Sequence, residues 1–279
     1  MIPCISQVTT LNSPCEVDLP AISRAGWRLV ELWLTKVETY LESHSLQQFR
    51  ELLANHSLVA AAASSQGGLL LSRGLERETH WELFRRRLDV LQELSVPLLI
   101  VAADFAPECT WEDYQRGAES LSQAAEVAES RGIRLALEPQ KGGRFCVSVD
   151  TALTLIAQSH SKAVGLCLDV FHYYLGPSKF EDLAYLNAEN LAWVQVSDLS
   201  GTFRELASDR DRILPGEGDF ALDPLLDELA RAGYSGPVSL ELLNPRLWQV
   251  PVDHVCELGY QSVLRVLGTR FRDRRSLAP

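Results

Sequence analysis

The chain has 279 residues, with 26 Lys and Arg against 37 Asp and Glu, a formal net charge of −11 and a pI near 5.1. A chain of this length buries about three quarters of its unfolded surface and needs no disulfide or structural metal to hold a core. The acidic balance lacks the positive field that phosphate backbones demand, which argues against a nucleic-acid partner. The N-terminal MIPCISQVTT has no basic segment ahead of a long apolar one, and the apolar runs 58–63 and 97–103 fall far short of the ~20 residues that span a bilayer. No membrane partner and a cytoplasmic location are therefore expected. The six cysteines, at 4, 15, 109, 146, 167 and 256, include no CxxC pair and read as reduced, mostly buried thiols.

Taken in order, the chain predicts strands at 2–8, 29–34 and 58–63, then a helix at 78–94 with Trp81, Phe84, Leu88 and Leu91 on one face. A strand at 97–103 precedes a helix at 111–131 that stops at Gly132. A strand at 133–138, a helix at 149–157 opening near Asp150, and strands at 163–169 and 191–196 follow. A helix at 223–232, a strand at 237–242 and a helix at 252–267 complete the pattern. The strands are near-continuous apolar runs, as in parallel sheets covered on both faces. Eight such strands alternating with helices predict an α/β fold, a single (β/α)8 TIM barrel over 1–268, followed by a basic tail at 269–279 (Arg270, Arg272, Arg274, Arg275). The rival, an open doubly wound sheet, would place a glycine-rich turn after the first strand, and there is none.

Chemistry in such a barrel sits at the C-terminal ends of the strands. There, RLALEP ends on Glu138, VGLCLD on Asp169, LAWVQVSD carries Gln195, and PVSLEL carries Glu241. Carboxylates crowded at low dielectric repel one another and need a counter-charge. Salt bridges at the barrel rim are one solution and a divalent cation is another. Three carboxylates and an amide oxygen at Glu138, Asp169, Gln195 and Glu241 form a hard, all-oxygen set that suits Mg²⁺ or Mn²⁺ better than Zn²⁺.

These residues resemble those of the xylose-isomerase-like TIM-barrel superfamily, the sugar phosphate isomerase/epimerase group, which also holds inosose dehydratase, 3-dehydroshikimate dehydratase and endonuclease IV. The likeness is sharpest at LALEP (135–139), LDVFH (168–172), VQVSD (194–198) and SLELLNP (239–245), and in the Arg212-Ile-Leu-Pro215-Gly216-Glu-Gly218 segment. It implies that Glu138, Asp169 and Glu241 are metal carboxylates. Gln195 stands where the family most often has histidine, as in some bacterial 3-dehydroshikimate dehydratases. His172, in an Asp-x-x-His pattern, and Arg212 are implied as substrate contacts. For these two, a packed loop histidine and an ion pair within the charged run 205–211 are the structural alternatives.

The resemblance further implies an isomerase or epimerase acting on a sugar, keto-sugar or cyclitol. Proton transfer would pass through a metal-stabilised enediolate, with Glu138 and Glu241 as base and acid and Arg212 and His172 steadying the oxyanion. A metal-dependent dehydratase or lyase, and a non-catalytic sugar-binding barrel, are the alternatives. Lys141 is a candidate for the extra acid or base of a dehydratase, Lys36 is another strand-end lysine and Lys179 follows Gly176-Pro177-Ser178, with a surface or substrate-orienting lysine the alternative for each. Trp33, with Phe105, Phe171 and Trp248, could form an apolar wall against a sugar ring, and packing under the loops is the equal alternative. The pair Gly67-Gly68 permits close backbone approach, including to a phosphate, although no lysine-serine pair follows. A zinc nuclease would need clustered histidines. Of the six, only His172 falls at a strand top, the others lying on or beside predicted helices. A small polyhydroxy molecule is the expected partner. The sequence leaves open a homo-oligomer.

Overall fold

The alternation resolves into eight parallel strands that form a closed barrel in chain order: β1 (Ile2–Ser6), β2 (Leu29–Trp33), β3 (Val59–Gln66), β4 (Leu98–Ala102), β5 (Arg134–Glu138), β6 (Val164–Asp169), β7 (Leu191–Val196) and β8 (Pro237–Leu240). A computed structural model describes residues 1–272. Contacts divide the chain into two compact units, Met1–Ala61 with the chain from Val194 onward, and Ala62–Trp193.

In the first unit β1 pairs with β2, from Cys4↔Leu29 to Ser6↔Glu31, and with β8, from Ile2↔Pro237 to Ile5↔Leu240. β7 pairs with β8 from Val194↔Val238 to Val196↔Leu240. Helices α1 (Cys15–Arg24), α2 (Leu34–Leu41) and α3 (Leu46–Asn55) belong to this unit. The periodicity had predicted none of the three. α3 carries a legible start signal, a capping box in which the Gln48 N–H donates to Ser45 Oγ at 3.2 Å and the Ser45 N–H to Gln48 Oε1 at 2.8 Å. The predicted first strand stops at Ser6 because Gln7–Thr10 turn into a 3₁₀ segment.

The 223–232 and 252–267 helices predicted from sequence appear as α8 (Leu222–Arg231) and α9 (Val252–Leu267), which are numbered after the four helices of the second unit. Leu222, Leu225, Leu226 and Leu229 bury one face of α8. On a scale of about 2–3 kcal/mol for each leucine fully removed from water, that stripe holds the helix in place. Beyond α9, Arg270 is held by Asp223 and Asp227 at 2.9 and 2.7 Å. Of the arginines expected in the tail, Arg274 and Arg275 lie outside the described residues.

In the second unit β4 pairs with β5 from Leu98↔Arg134 to Ala102↔Glu138, and β5 with β6 from Leu135↔Val164 to Leu137↔Leu166. β3 pairs with β4 through a register shift between Ala63 and Gln66, where Ser65 adopts φ 79°. The buried Arg87 steadies that kink by donating to the Ser65 carbonyl at 2.5 Å and to Gln66 Oε1 at 3.3 Å. The helices are α4 (Gly74–Glu93), α5 (Trp111–Glu129), α6 (Val149–Gln158) and α7 (Val170–Leu175). α5 begins at a Thr110–Asp113 capping box.

None of the six cysteines is disulfide-bonded, and all but Cys109 are buried. Burial pushes the Cys15 and Cys256 thiols up to about 12, so they are neutral and unreactive at physiological pH. Among the described residues no helix is long and apolar enough to cross a membrane.

Candidate active site

Each unit carries one buried polar cluster built from the strand ends that the sequence singles out. In the second unit Glu138 is the last residue of β5 and Asp169 the last of β6. Asp169 also caps α7, its Oδ1 accepting the Phe171 N–H at 2.9 Å. That cap places His172 on the first turn of the helix, with Nε2 3.5 Å from Asp169 Oδ2 and 3.7 Å from Glu138 Oε1. All three residues are buried, and one ligand atom from each lies within 4.8 Å of the others. The structure therefore brings His172, read from sequence as a substrate contact, into the same cluster as two expected metal carboxylates.

In the first unit Gln195 projects from β7, and Glu241 follows directly on β8 with its N–H still bonded to the Val196 carbonyl at 3.1 Å. Gln195 Nε2 donates to Glu241 Oε1 at 2.9 Å and to Glu31 Oε1, on β2, at 3.1 Å. In both bonds a carboxylate oxygen accepts, so the amide turns its nitrogen toward the two glutamates. Glu31 and Gln195 are fully buried and Glu241 nearly so. Glu31 is a residue that the strand-end reading missed. Its signal was a lone carboxylate inside the apolar run Leu29–Trp33, a place where a charge persists only with a partner.

Arg212, 1% exposed, adjoins the same cluster. Its Nη1 is 3.2 Å from Glu241 Oε2, while Nε and Nη2 donate to Asp209 Oδ1 at 3.0 and 2.8 Å. Asn244 donates to the Arg212 carbonyl at 2.9 Å. The two sequence readings of Arg212 thus coexist, an ion pair within the charged run and a contact at the strand-end cluster. The loop it opens is wound around Asp198, whose carboxylate accepts the N–H groups of Leu199, Gly216, Gly218 and Phe220 at 2.9–3.1 Å. A Cβ at Gly218 would overlap the Asp198 carboxylate and the Leu199 carbonyl, so this position is closed to any other residue without rearrangement.

The remaining sequence candidates have varied settings. Lys36 lies on α2 and is buried, its ammonium paired with the fully buried Asp18 and donating to the Thr10 carbonyl at 2.8 Å. Burial raises the Asp18 carboxyl above its usual range, and Lys36 opposes that shift. Trp33 closes β2, donates its N–H to Gln7 Oε1 at 3.3 Å, and lines a cavity of about 450 Å³ with Lys36 and Tyr40. Lys141 Nζ sits 5.7 Å above the ring of the buried Phe171. Phe105 is 72% exposed, Trp248 is half-buried with its indole N–H on the Val8 carbonyl at 2.9 Å, and Lys179 is exposed.

The glycine pair after β3 does form an anion cradle, but the chain fills it. Asp104 accepts the N–H groups of Gly68, Leu70 and Leu71 at 2.8, 2.9 and 2.7 Å. Gly68 has φ +75°, and a Cβ there would come within 2.5 Å of the His80 ring.

Fold and strand-end chemistry together define a parallel α/β barrel with buried carboxylate clusters at successive strand tops. The chain belongs to the xylose isomerase-like TIM barrel family, whose pattern matches residues 19–259. It is 24% identical to an inosose isomerase of Halalkalibacterium halodurans over 276 residues, 96% of this chain and 97% of that protein. It is 31% identical to a 3-dehydroshikimate dehydratase of Pseudomonas aeruginosa over 196 residues, which cover 70% of this chain and 30% of that longer protein. A crystal structure of the IOLI protein with a bound zinc atom superposes with a TM-score of 0.92 at 22% identity, covering 98% of this chain and all of that one.

Proposed function

We propose that the protein is a divalent-metal-dependent isomerase or epimerase of a sugar, keto-sugar or cyclitol, with Glu138, Asp169, Gln195 and Glu241 serving the cation. The observation that carries this reading is the convergence of Glu138, Asp169 and His172, three buried groups able to ligate, within 4.8 Å. The likeness to inosose isomerase along nearly the whole chain supports the substrate class. The donor set fits a cation because three of its four members are buried carboxylates, two of which, Glu138 and Asp169, converge with His172. Its oxygen-rich character favours Mg²⁺ or Mn²⁺. Zn²⁺, the ion held by the IOLI protein, is the competitor.

A cation held by Glu138, Asp169, Gln195 and Glu241 would supply Lewis-acid polarisation of a hydroxy-ketone carbonyl. The chain supplies the rest. Glu138 and Glu241 take and return the proton, each held in place by its neighbours in its own cluster. Arg212, with one side of its guanidinium fixed on Asp209, orients Glu241. His172 and Arg212 donate hydrogen bonds to oxygens that gain charge as the proton leaves. Lys141 and Trp33 contact the distal part of the substrate.

A test is incubation of candidate keto-sugars and inososes in D₂O with Mn²⁺, Mg²⁺ or Zn²⁺. Solvent deuterium incorporated next to the carbonyl, without loss of water and abolished in Glu138→Gln, is expected. A dehydratase is the second reading, favoured by the 31% identity to a 3-dehydroshikimate dehydratase and by glutamine at 195. It would give an enone absorbance instead.

A further inference from the structure

We propose that Glu31 is a positioning residue that fixes which end of the Gln195 amide is presented to the metal. The inference rests on the metal reading above. A glutamine amide is nearly symmetric in shape but not in chemistry, since one end donates two protons and the other accepts. Only the oxygen ligates a hard cation. A glutamine that replaces an imidazole therefore works only if something keeps its nitrogen turned away.

The structure supplies that something in two acceptors. Gln195 Nε2 donates to Glu241 Oε1 at 2.9 Å and to Glu31 Oε1 at 3.1 Å. Glu241 is itself an expected ligand whose second oxygen is engaged by Arg212 at 3.2 Å, so its grip on the amide is shared. Glu31 has no assigned part in the reaction and is fully buried on β2. The register places it level with Ser6 on β1, so the rigid ladder holds its carboxylate in place. With both amide protons committed to carboxylates, the flipped rotamer would set oxygen against oxygen and is excluded. Glu31 thereby acts on metal affinity and on the choice of hard over soft ions, entirely through Gln195.

The test is a double-mutant cycle read by calorimetric Mn²⁺ and Zn²⁺ binding to the full chain, without substrate. Glu31→Gln is expected to weaken Mn²⁺ binding about 10–100-fold, the usual effect of losing a partner that orients a ligand, and Zn²⁺ binding less. In a Gln195→Ala background the same substitution is expected to change affinity by less than about twofold, because the residue through which Glu31 acts is gone. A merely structural role would give equal losses in both backgrounds, and that result overturns the proposal, as does unchanged Mn²⁺ affinity in Glu31→Gln. If Glu31→Gln does not fold, Glu31→Asp, which withdraws the carboxylate by one methylene, enters the same cycle with a smaller expected loss and the same overturning outcomes. Absence of Mn²⁺ binding in the wild type overturns the metal reading along with this one. Normal wild-type binding with an additive cycle overturns this one alone.

Discussion

Arg212 Nη1 lies 3.2 Å from Glu241 Oε2, and both side chains are buried, at 1% and 6% exposed. A guanidinium that grips a carboxylate in such a setting cannot be removed without leaving a charge stranded. Arg212→Ala is expected to cost about 3–5 kcal/mol in urea unfolding. Arg212→Lys keeps the charge but loses the fork that joins Asp209 to Glu241. It should retain most of the stability while slowing deuterium exchange into substrate about 10–100-fold. Equal exchange rates in Arg212→Lys and wild type would show that the fork geometry is irrelevant.

Metal removal gives a second expectation. A ligand present at about 100 times its Kd stabilises the folded state by about 2.7 kcal/mol. For a chain of this size that corresponds to a Tm rise of roughly 5–11 °C. Mn²⁺ added to chelator-treated protein should produce such a rise, and Glu138→Gln should abolish most of it, as read by differential scanning calorimetry.

The Lys36–Asp18 pair is buried, and its removal has a definite sign in pH. Lys36→Met leaves the fully buried Asp18 carboxylate without its cation, which is expected to cost about 3–5 kcal/mol at neutral pH. Burial already raises the Asp18 carboxyl above its usual 3.8, and losing Lys36 raises it further. A folded state that holds its proton more tightly than the unfolded chain gains stability as pH falls through the raised value toward 3.8. The Lys36→Met defect should therefore shrink on acidification. A Lys36→Met/Asp18→Leu pair should recover most of the loss, as measured by urea unfolding across pH.

Asp113 gives the opposite sign. The Thr110 N–H, the Thr110 hydroxyl and Arg116 hold its carboxyl at about 2, against 3.8 ordinarily. Its contribution is complete above about 3.8 and is lost as pH falls through about 2. The stability gap between wild type and Asp113→Asn should be constant above pH 4 and close progressively below it.

Glu138, Asp169, Gln195 and Glu241 were readable because each is a polar group at the end of an apolar strand, a position whose meaning is set locally once the barrel is inferred. Glu31 was not. It sits within its strand rather than at the end, and its partner Gln195 is 164 residues away. Asp18 and Lys36 were equally opaque, since nothing in either neighbourhood names the other. Helices α1 to α3 show no long apolar period because they are only eight to ten residues each. The Ser45–Gln48 box was nonetheless there to be read. Asp198 was visible as a motif member, but its task of gathering four N–H groups depends on a loop closing back on it from residues 18 to 22 further on.

The Asp104 carboxylate in the cradle after β3 is an occupant that the chain supplies itself. Three backbone amides pointing at one spot ordinarily attract a dianion. Here they face a competitor tethered to the same chain, 33 to 36 residues from the amides it occupies. A tethered occupant acts at an effective concentration that free solutes seldom reach. A phosphorylated solute would have to displace it and then sit beside the carboxylate it displaced. The cradle is thus satisfied from within the chain, and its three amides are already spoken for before any external anion arrives.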